Sequence, residues 1–307
     1  MTHRSLLSLG IRFAAAMSLW NKRLSRNHYC RSESSVFVLS FPAGMCPSTL
    51  EERREFYSRE FDVSNVNRWI GDRRESTKFA MIPGRHSGIV APKHLKDKDN
   101  VVIIDVWRSA RDLRKYCLEW LPEGVYYDRN RYHDVSQCAR CGNRKESCFG
   151  CYNHVGQQLA FDLDPENVTC PVHGHIGDKM ARGVGLLSFC MIEFRMITRQ
   201  ARDLATELER TYEKVGIVFS GRGYHVVVND EEAYGLTKKE RVAISNRILR
   251  KYDIDEWVTV GSSRLMRLPY SLNALVSRKC VPVKIKDLRG FDPRISSLVV
   301  PAFARSA

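Results

Sequence analysis

Apolar positions recur at helical spacing in some stretches of this chain and in short unbroken runs in others, which predicts helices alternating with strands. Thr49 to Phe61 has helical periodicity behind a threonine start whose capping box reads as incomplete. Val101 to Trp107 is a β-branched run suited to a buried strand. Ser109 to Trp120 is amphipathic, with Leu113, Cys117 and Trp120 on one side of a helix, and the turn at Pro122-Glu123-Gly124 feeds an aromatic strand. Leu159 to Asp164 is the next strand, stopped by Pro165. Gly183 to Lys214 reads as one long helix, with Leu186, Cys190, Ile197, Ala201, Leu204, Leu208 and Tyr212 near one face. Val215–Ser220 and Tyr224–Val228 flank Gly221-Arg222-Gly223 as a hairpin. Thr237 and Glu240 open a helix to about Tyr252, and strands are expected at Val258–Val260 and Val281–Ile285. The fold class is therefore mixed α/β or α+β, without internal repeats.

Length and composition (307 residues, 43% hydrophobic, 27% charged) allow a large buried core, as one domain or as a body with a smaller module. Charge adds more. A net +14 favours a polyanionic partner, although solvated surface charge alone can produce it. Residues 1–45 hold six Lys/Arg against one acid, Glu33, and resemble a transit peptide or a poor signal peptide in composition. Their apolar stretch, Leu6 to Trp20, is broken by Arg12 and too short to span a bilayer. The expectation is a leader over 1–45, disordered or non-native with Met45 as the real start, ahead of a domain over 46–307. No later segment reads as a membrane span, so an intracellular, soluble protein is expected.

Three short segments carry candidate chemistry. In Phe161-Asp162-Leu163-Asp164 the strand period puts both carboxylates on one side, where they suit Mg²⁺ or Mn²⁺; an Asp pair merely ending a strand is the bland alternative. A further acid would complete a two-metal site, and Asp255 is the best candidate, with Asp253 and Glu256 as rivals. In Phe219 to His225, Gly221 and Gly223 allow close backbone approach, while Ser220, Arg222 and His225 offer donors to phosphate; an ordinary hairpin with a solvated arginine competes. In Arg264-Leu265-Met266-Arg267-Leu268-Pro269 two guanidinium groups stand among apolar residues and call for an anionic partner, phosphate or a structural carboxylate. Acid for metal beside base for phosphate is the chemistry of nucleotidyl transfer.

The cysteines suggest metal rather than disulfides. Cys138-x-x-Cys141 and Cys148-x-x-Cys151 can close a tetrahedral Zn²⁺ site. A second group, Cys170, His173, His175 and Cys190, is a candidate for another. The zinc is expected to be structural, because four thiolates leave no open position.

In this order the three segments resemble the small, catalytic subunit of archaeal and eukaryotic DNA primases. That family carries an Asp-x-Asp on a strand, a Ser-Gly-Arg-…-His hairpin, and a third Asp ahead of a basic Leu-Pro-x-Ser-Leu-His stretch. The matching residues are Asp162 and Asp164, Ser220 to His225, and Asp255 before Arg264 to Leu272. Weaker echoes lie at Arg54–Tyr57, Pro122–Tyr127 with Tyr132, and Phe291–Pro293, so the resemblance spans about Thr49 to Val300. It implies a primase-like catalytic core with a small zinc-binding module, at about 138–151 or 170–190. It implies two Mg²⁺ or Mn²⁺ ions on Asp162, Asp164 and Asp255, and a triphosphate held by Ser220, Gly221, Arg222, His225, Arg264 and Arg267. The implied function is template-directed synthesis of short RNA primers on single-stranded DNA from nucleoside triphosphates, beside a separate large subunit, in the cytoplasm or nucleoid if archaeal. A related gap-filling repair polymerase is the alternative within the superfamily, and a non-catalytic zinc-ribbon nucleic-acid-binding protein the alternative outside it. The chain departs from the family pattern at Asn273, where a histidine is usual, and at Ala274 to Ser277, where Gly-Lys-Thr-Gly is usual. Arg278 or Lys279 is the expected replacement for a lost triphosphate contact.

Overall fold

The computed structural model describes residues 38–71, 73, 76–83, 102–104, 110–140, 149–261 and 265–305, with side chains throughout except at 102–104, 110 and 138–140. In chain order the strands are β1 (Phe79–Ile82), β2 (Val102–Ile104), β3 (Gly124–Asp128), β4 (Asn130–Tyr132), β5 (His154–Gln157), β6 (Leu159–Leu163), β7 (Val215–Phe219), β8 (Tyr224–Val228), β9 (Leu265–Arg267), β10 (Leu272–Asn273), β11 (Arg278–Lys279) and β12 (Val281–Val283). The helices are α1 (Leu50–Glu55), α2 (Val63–Ile70), α3 (Ala110–Trp120), α4 (Val135–Arg140), α5 (Ile176–Ala181), α6 (Met191–Leu208), α7 (Glu231–Tyr234), α8 (Lys238–Leu249) and α9 (Glu256–Val260).

Two four-stranded antiparallel sheets form the body, in the orders β2-β1-β3-β9 and β12-β7-β8-β6, with β4-β5 and β10-β11 as small ladders. Alternation sorts the residues of the second sheet. Leu159, Phe161 and Leu163 of β6, with Tyr224, Val226 and Val228 of β8, pack with Phe194, Ile197, Ala201 and Leu204 of α6 in one core. Ala160 and Val227 turn the other way, into a second core around Phe56, Phe79, Val125, Tyr127 and Met266. The sheet is therefore covered on both faces, and a polar residue on it must find a partner.

Several elements differ from expectation for local reasons. The box at Thr49 is complete: its N–H donates to Glu52 at 2.7 Å and its hydroxyl accepts from Glu52 N–H at 3.2 Å, because an acid stands at the third helical position. The helix expected over Gly183 to Lys214 is only Met191–Leu208, so Leu186, Cys190 and Tyr212 lie off it. Val184 is taken by a parallel bridge to Val38, and Cys190 becomes the cap, its N–H donating to Glu193 at 2.8 Å. Val258–Val260 is not a strand but belongs to α9, because the Asp255 carboxylate accepts from Trp257 N–H at 2.9 Å and starts a helix there. Val38 to Met45 are part of the fold, ahead of the expected boundary at 46: Leu39 and Phe41 pack on the first core and Met45 is buried in it. The expectation for residues 1–37 lies outside the described residues. Among the described residues, no helix is long and apolar enough to cross a membrane.

Candidate active site

The alternation that sends Phe161 and Leu163 into the core sends Asp162 to the opposite face of β6. It stands directly across the ladder from His225 of β8, with His225 Nε2 3.5 Å from Asp162 Oδ1. Asp164 follows the strand, where Pro165 ends it. Asp255 arrives from far along the chain: its N–H donates to the Asp162 carbonyl at 2.9 Å, and Thr259 of α9 donates to the Ala160 carbonyl at 3.1 Å. Two backbone-anchored contacts thus fix the start of α9 against β6. Asp164 and Asp255 lie close enough to Asp162 for their charges to act on it, and neither rival acid replaces Asp255: Asp253 is bonded through its carboxylate to Gln200 at 2.7 Å, and Glu256 is exposed.

Asp162 Oδ1 is buried and has no hydrogen-bond partner among the described residues. Burial, then the carboxylates of Asp164, Asp255 and Glu166, push its pKa well above the usual carboxylate range, against a smaller opposing pull from Arg222. A buried carboxylate that lacks a donor and faces three others fits a hard cation, so these residues suit Mg²⁺ or Mn²⁺. Desolvation, offset in part by Asp164, lowers His225 from its ordinary 6.5 to about 4, so it is neutral at physiological pH.

A pH dependence follows. Between the ordinary carboxylate range and its raised value, Asp162 holds a proton in the folded chain that the unfolded chain has lost, so the metal-free protein loses stability as pH rises through that window. His225 acts oppositely: between 6.5 and about 4 the unfolded imidazole is protonated and the folded one is not, so stability falls as pH drops there. A divalent cation replaces the proton on Asp162 and leaves the histidine contribution nearly unchanged. The rise in Tm on adding Mn²⁺ is therefore expected to be larger near pH 8 than near pH 5.5 in scanning fluorimetry, and equal rises would contradict the assignment.

The hairpin between β7 and β8 is buried and tightly closed. Ser220 N–H donates to the Gly223 carbonyl at 2.9 Å, and Gly223 N–H donates to Ser220 Oγ at 3.0 Å. Gly221 has φ +98°, and a Cβ there would strike the Asn273 side chain; a Cβ on Gly223 would strike the Asp164 carboxylate and the Leu163 carbonyl. The two glycines thus let the hairpin lie against the acidic strand. Arg222 then reaches Asp164 Oδ2 at 2.9 Å and grips both oxygens of Glu166 at 2.7 Å. Glu166 escaped the reading of the sequence. Its only signal was an acid two residues beyond the Asp-x-Asp.

Arg267 comes from the other sheet. It lies opposite Tyr126 in the β3-β9 ladder, stacks 4.8 Å from that ring's centre, and donates from Nη2 to the tyrosine hydroxyl at 2.9 Å. Its Nη1 is buried and has no acceptor among the described residues. Arg264 lies outside the described residues. Asn273 is a hairpin strut: its amide donates to the Ser220 carbonyl at 3.1 Å and its oxygen accepts from Leu275 N–H at 3.3 Å. The expected replacement contacts do not hold. Arg278 is buried with its guanidinium spent on backbone carbonyls, including those of Pro293, Ser277 and Gly44. Lys279 faces Glu60 at 3.6 Å.

Of the cysteine groups, the Cys141 and Cys148 expectations and the side chain of Cys138 lie outside the described residues, and Cys151 is exposed. The later group assembles in part. Cys170 Sγ is 3.3 Å from His173 Nδ1 and 3.9 Å from Cys190 Sγ, and the three donor atoms lie within 4.8 Å of one another. Two sulfurs and an imidazole suit zinc. His175 stands outside this trio, its Nδ1 accepting from Gly177 N–H at 3.2 Å to cap α5. Beneath it, Lys179 and Glu193 form a buried ion pair at 2.7 Å.

The site is thus a cluster of acids on one antiparallel sheet, with guanidinium groups from a hairpin and from a second sheet, in a mixed α/β protein. An uncharacterized DNA primase small subunit-like protein of Archaeoglobus fulgidus is 50% identical over 268 residues, 87% of this chain and 94% of that protein. The chain therefore belongs to the DNA primase small subunit-like family. The DNA primase small subunits PriS of Thermococcus onnurineus and Pyrococcus furiosus are 26% and 27% identical over 196 residues, 64% of this chain; the match covers about half of each, 48% and 47%. Among solved structures, the polymerase domain from Mycobacterium tuberculosis ligase D in complex with DNA has a TM-score of 0.43 and 15% identity, covering 81% of this chain and 84% of that one. No protein-family model matches the chain.

Proposed function

We propose that the chain is the catalytic subunit of a DNA primase, making short RNA primers on single-stranded DNA from nucleoside triphosphates. The observation that carries this reading is a matched pair of atoms unsatisfied among the described residues: Asp162 Oδ1 lacks a donor and Arg267 Nη1 lacks an acceptor. They share one electrostatic neighbourhood, since the charges of Asp164 and Arg267 both act on the His225 ring. A cation answers the first atom and a polyphosphate the second, and a metal-bound nucleoside triphosphate brings both. Asp162, Asp164 and Asp255 would hold the ions, whose chemistry is Lewis-acid stabilisation of the attacking and leaving oxygens in phosphoryl transfer. Tyr126 holds Arg267 in place for a phosphate oxygen, and neutral His225 retains a ring N–H to donate. The net charge of +14 suits a nucleic-acid template, and the names of the relatives support a separate large subunit as partner. The trio of Cys170, His173 and Cys190 would hold a structural zinc with one further ligand.

The test is incorporation of labelled nucleotide with Mg²⁺ or Mn²⁺ on single-stranded DNA, without a primer and with or without a large subunit. Short RNA products are expected. Products only from a pre-annealed primer would favour a gap-filling polymerase, and none under either condition a binding protein. Metal analysis is expected to find about one zinc or more per chain, lowered by about one in Cys170→Ser. A content well below one in the parent protein would sink both cysteine assignments.

A further inference from the structure

Arg222 cannot serve a polyphosphate in the arrangement seen. Its Nη1 donates to Glu166 Oε2 at 2.7 Å and to the Leu187 carbonyl at 3.4 Å, and its Nη2 to Glu166 Oε1 at 2.7 Å and Asp164 Oδ2 at 2.9 Å. The guanidinium is buried, so these are charge-assisted bonds in a poorly solvated place, with Glu166 gripping in the parallel two-point geometry that is also the preferred way for arginine to hold phosphate. The two carboxylates differ in one respect. Asp164 belongs to the candidate metal set, whereas Glu166 spends both oxygens on Arg222.

We propose that Glu166 is a positioning residue that parks Arg222 and so makes triphosphate binding conditional on metal. This rests on the nucleotide reading of the site above. Without metal, a triphosphate must displace two carboxylates from the guanidinium. With Asp164 engaged by a cation, Arg222 is held by Glu166 alone, and a triphosphate with several oxygens in reach competes successfully. The order of binding is then metal first, nucleotide second. Glu166 also keeps the guanidinium beside the acids instead of leaving it to wander, so exchange needs only a short rotation.

The experiment measures ATP and GTP affinity of the full chain by calorimetry, in EDTA and in Ca²⁺, which permits binding without turnover. The parent protein is expected to bind at least about tenfold more weakly in EDTA. Glu166→Gln keeps the shape and removes the charge; it is expected to tighten binding in EDTA by about tenfold and to narrow the gap between the two conditions. Mn²⁺ affinity, followed by electron paramagnetic resonance, should be unchanged in this variant; a marked loss would make Glu166 a metal ligand and overturn the parking role. A purely structural role predicts weaker nucleotide binding in both conditions, which also overturns it. Arg222→Ala provides an independent arm: about tenfold weaker binding in Ca²⁺ and no loss in EDTA, where Arg222 is already occupied; an equal loss in both conditions would contradict parking. Absence of binding by the parent protein in Ca²⁺ overturns the nucleotide reading and this inference with it. Binding in Ca²⁺ with an unmoved Glu166→Gln in EDTA overturns this inference alone.

Discussion

Replacing Asp162 with asparagine is expected to lower nucleotide incorporation by about 10³-fold or more, on the order of 4 kcal/mol in transition-state stabilisation. Template binding should persist, because the substitution removes no positive charge from a chain of net charge +14. The same substitution is expected to raise the Tm of the metal-free protein. Asp162 is half-buried, has an oxygen with no hydrogen-bond partner and faces Asp164, Asp255 and Glu166, so removing its charge relieves repulsion that no bound group offsets. A gain of about 1 kcal/mol, or about 2–4 °C, is the scale to look for. The stabilisation by Mn²⁺ should shrink at the same time. A loss of activity together with a lower Tm would point to a residue that holds the fold, and retained incorporation would remove Asp162 from the site. Asp162→Ala should match the activity loss, with a stability cost from the emptied space.

The second large effect is expected at Gly223. A Cβ there would strike the Asp164 carboxylate and the Leu163 carbonyl, and neither can yield: the carbonyl is strand backbone, and the carboxylate is held by Arg222. Gly223→Ala must therefore push the hairpin away from β6, moving Arg222 and Asp164 apart and loosening the Ser220–Gly223 closure. The expected result is about a 10²-fold loss of incorporation with about 1–3 kcal/mol of destabilisation in urea unfolding. Gly216 on the neighbouring strand supplies the contrast, since its added Cβ would lie 3.4 Å from Val227 Cγ2, an ordinary contact. Gly216→Ala should leave activity within about twofold of the parent. Equal effects at the two positions would mean that strand glycines matter here only through backbone entropy.

Much of the site was legible because it rests on local rules. The strand period alone puts Asp162 on the face opposite Phe161 and Leu163, and the hairpin is announced by two glycines between β-branched runs. Other features depart from local rules where a local signal meets a longer-range partner. Val258 to Val260 is β-branched and reads as a strand, but the Asp255 cap and the bond from Thr259 to Ala160 make it a helix. Helical periodicity begins ahead of α6, but the helix starts later because Val184 is claimed by Val38, more than a hundred residues away in sequence. Arg278 has the chemistry of a phosphate ligand, yet burial directs it to backbone carbonyls.

By itself the sequence pointed to the paired acids, the glycine hairpin and the family, because residue type, spacing and order along the chain carry that information. The tertiary structure alone decided which charges meet. The chain places Asp255 more than ninety residues from Asp162, and only the bond from its N–H to the Asp162 carbonyl makes them neighbours. It also decided that Arg222 is occupied by Glu166 and Asp164 while Arg267 keeps an unsatisfied N–H, a difference that two arginines in basic motifs do not reveal. The physical reason is that the state of a buried charge depends on the groups desolvated with it, and burial is a property of packing that no local pattern encodes.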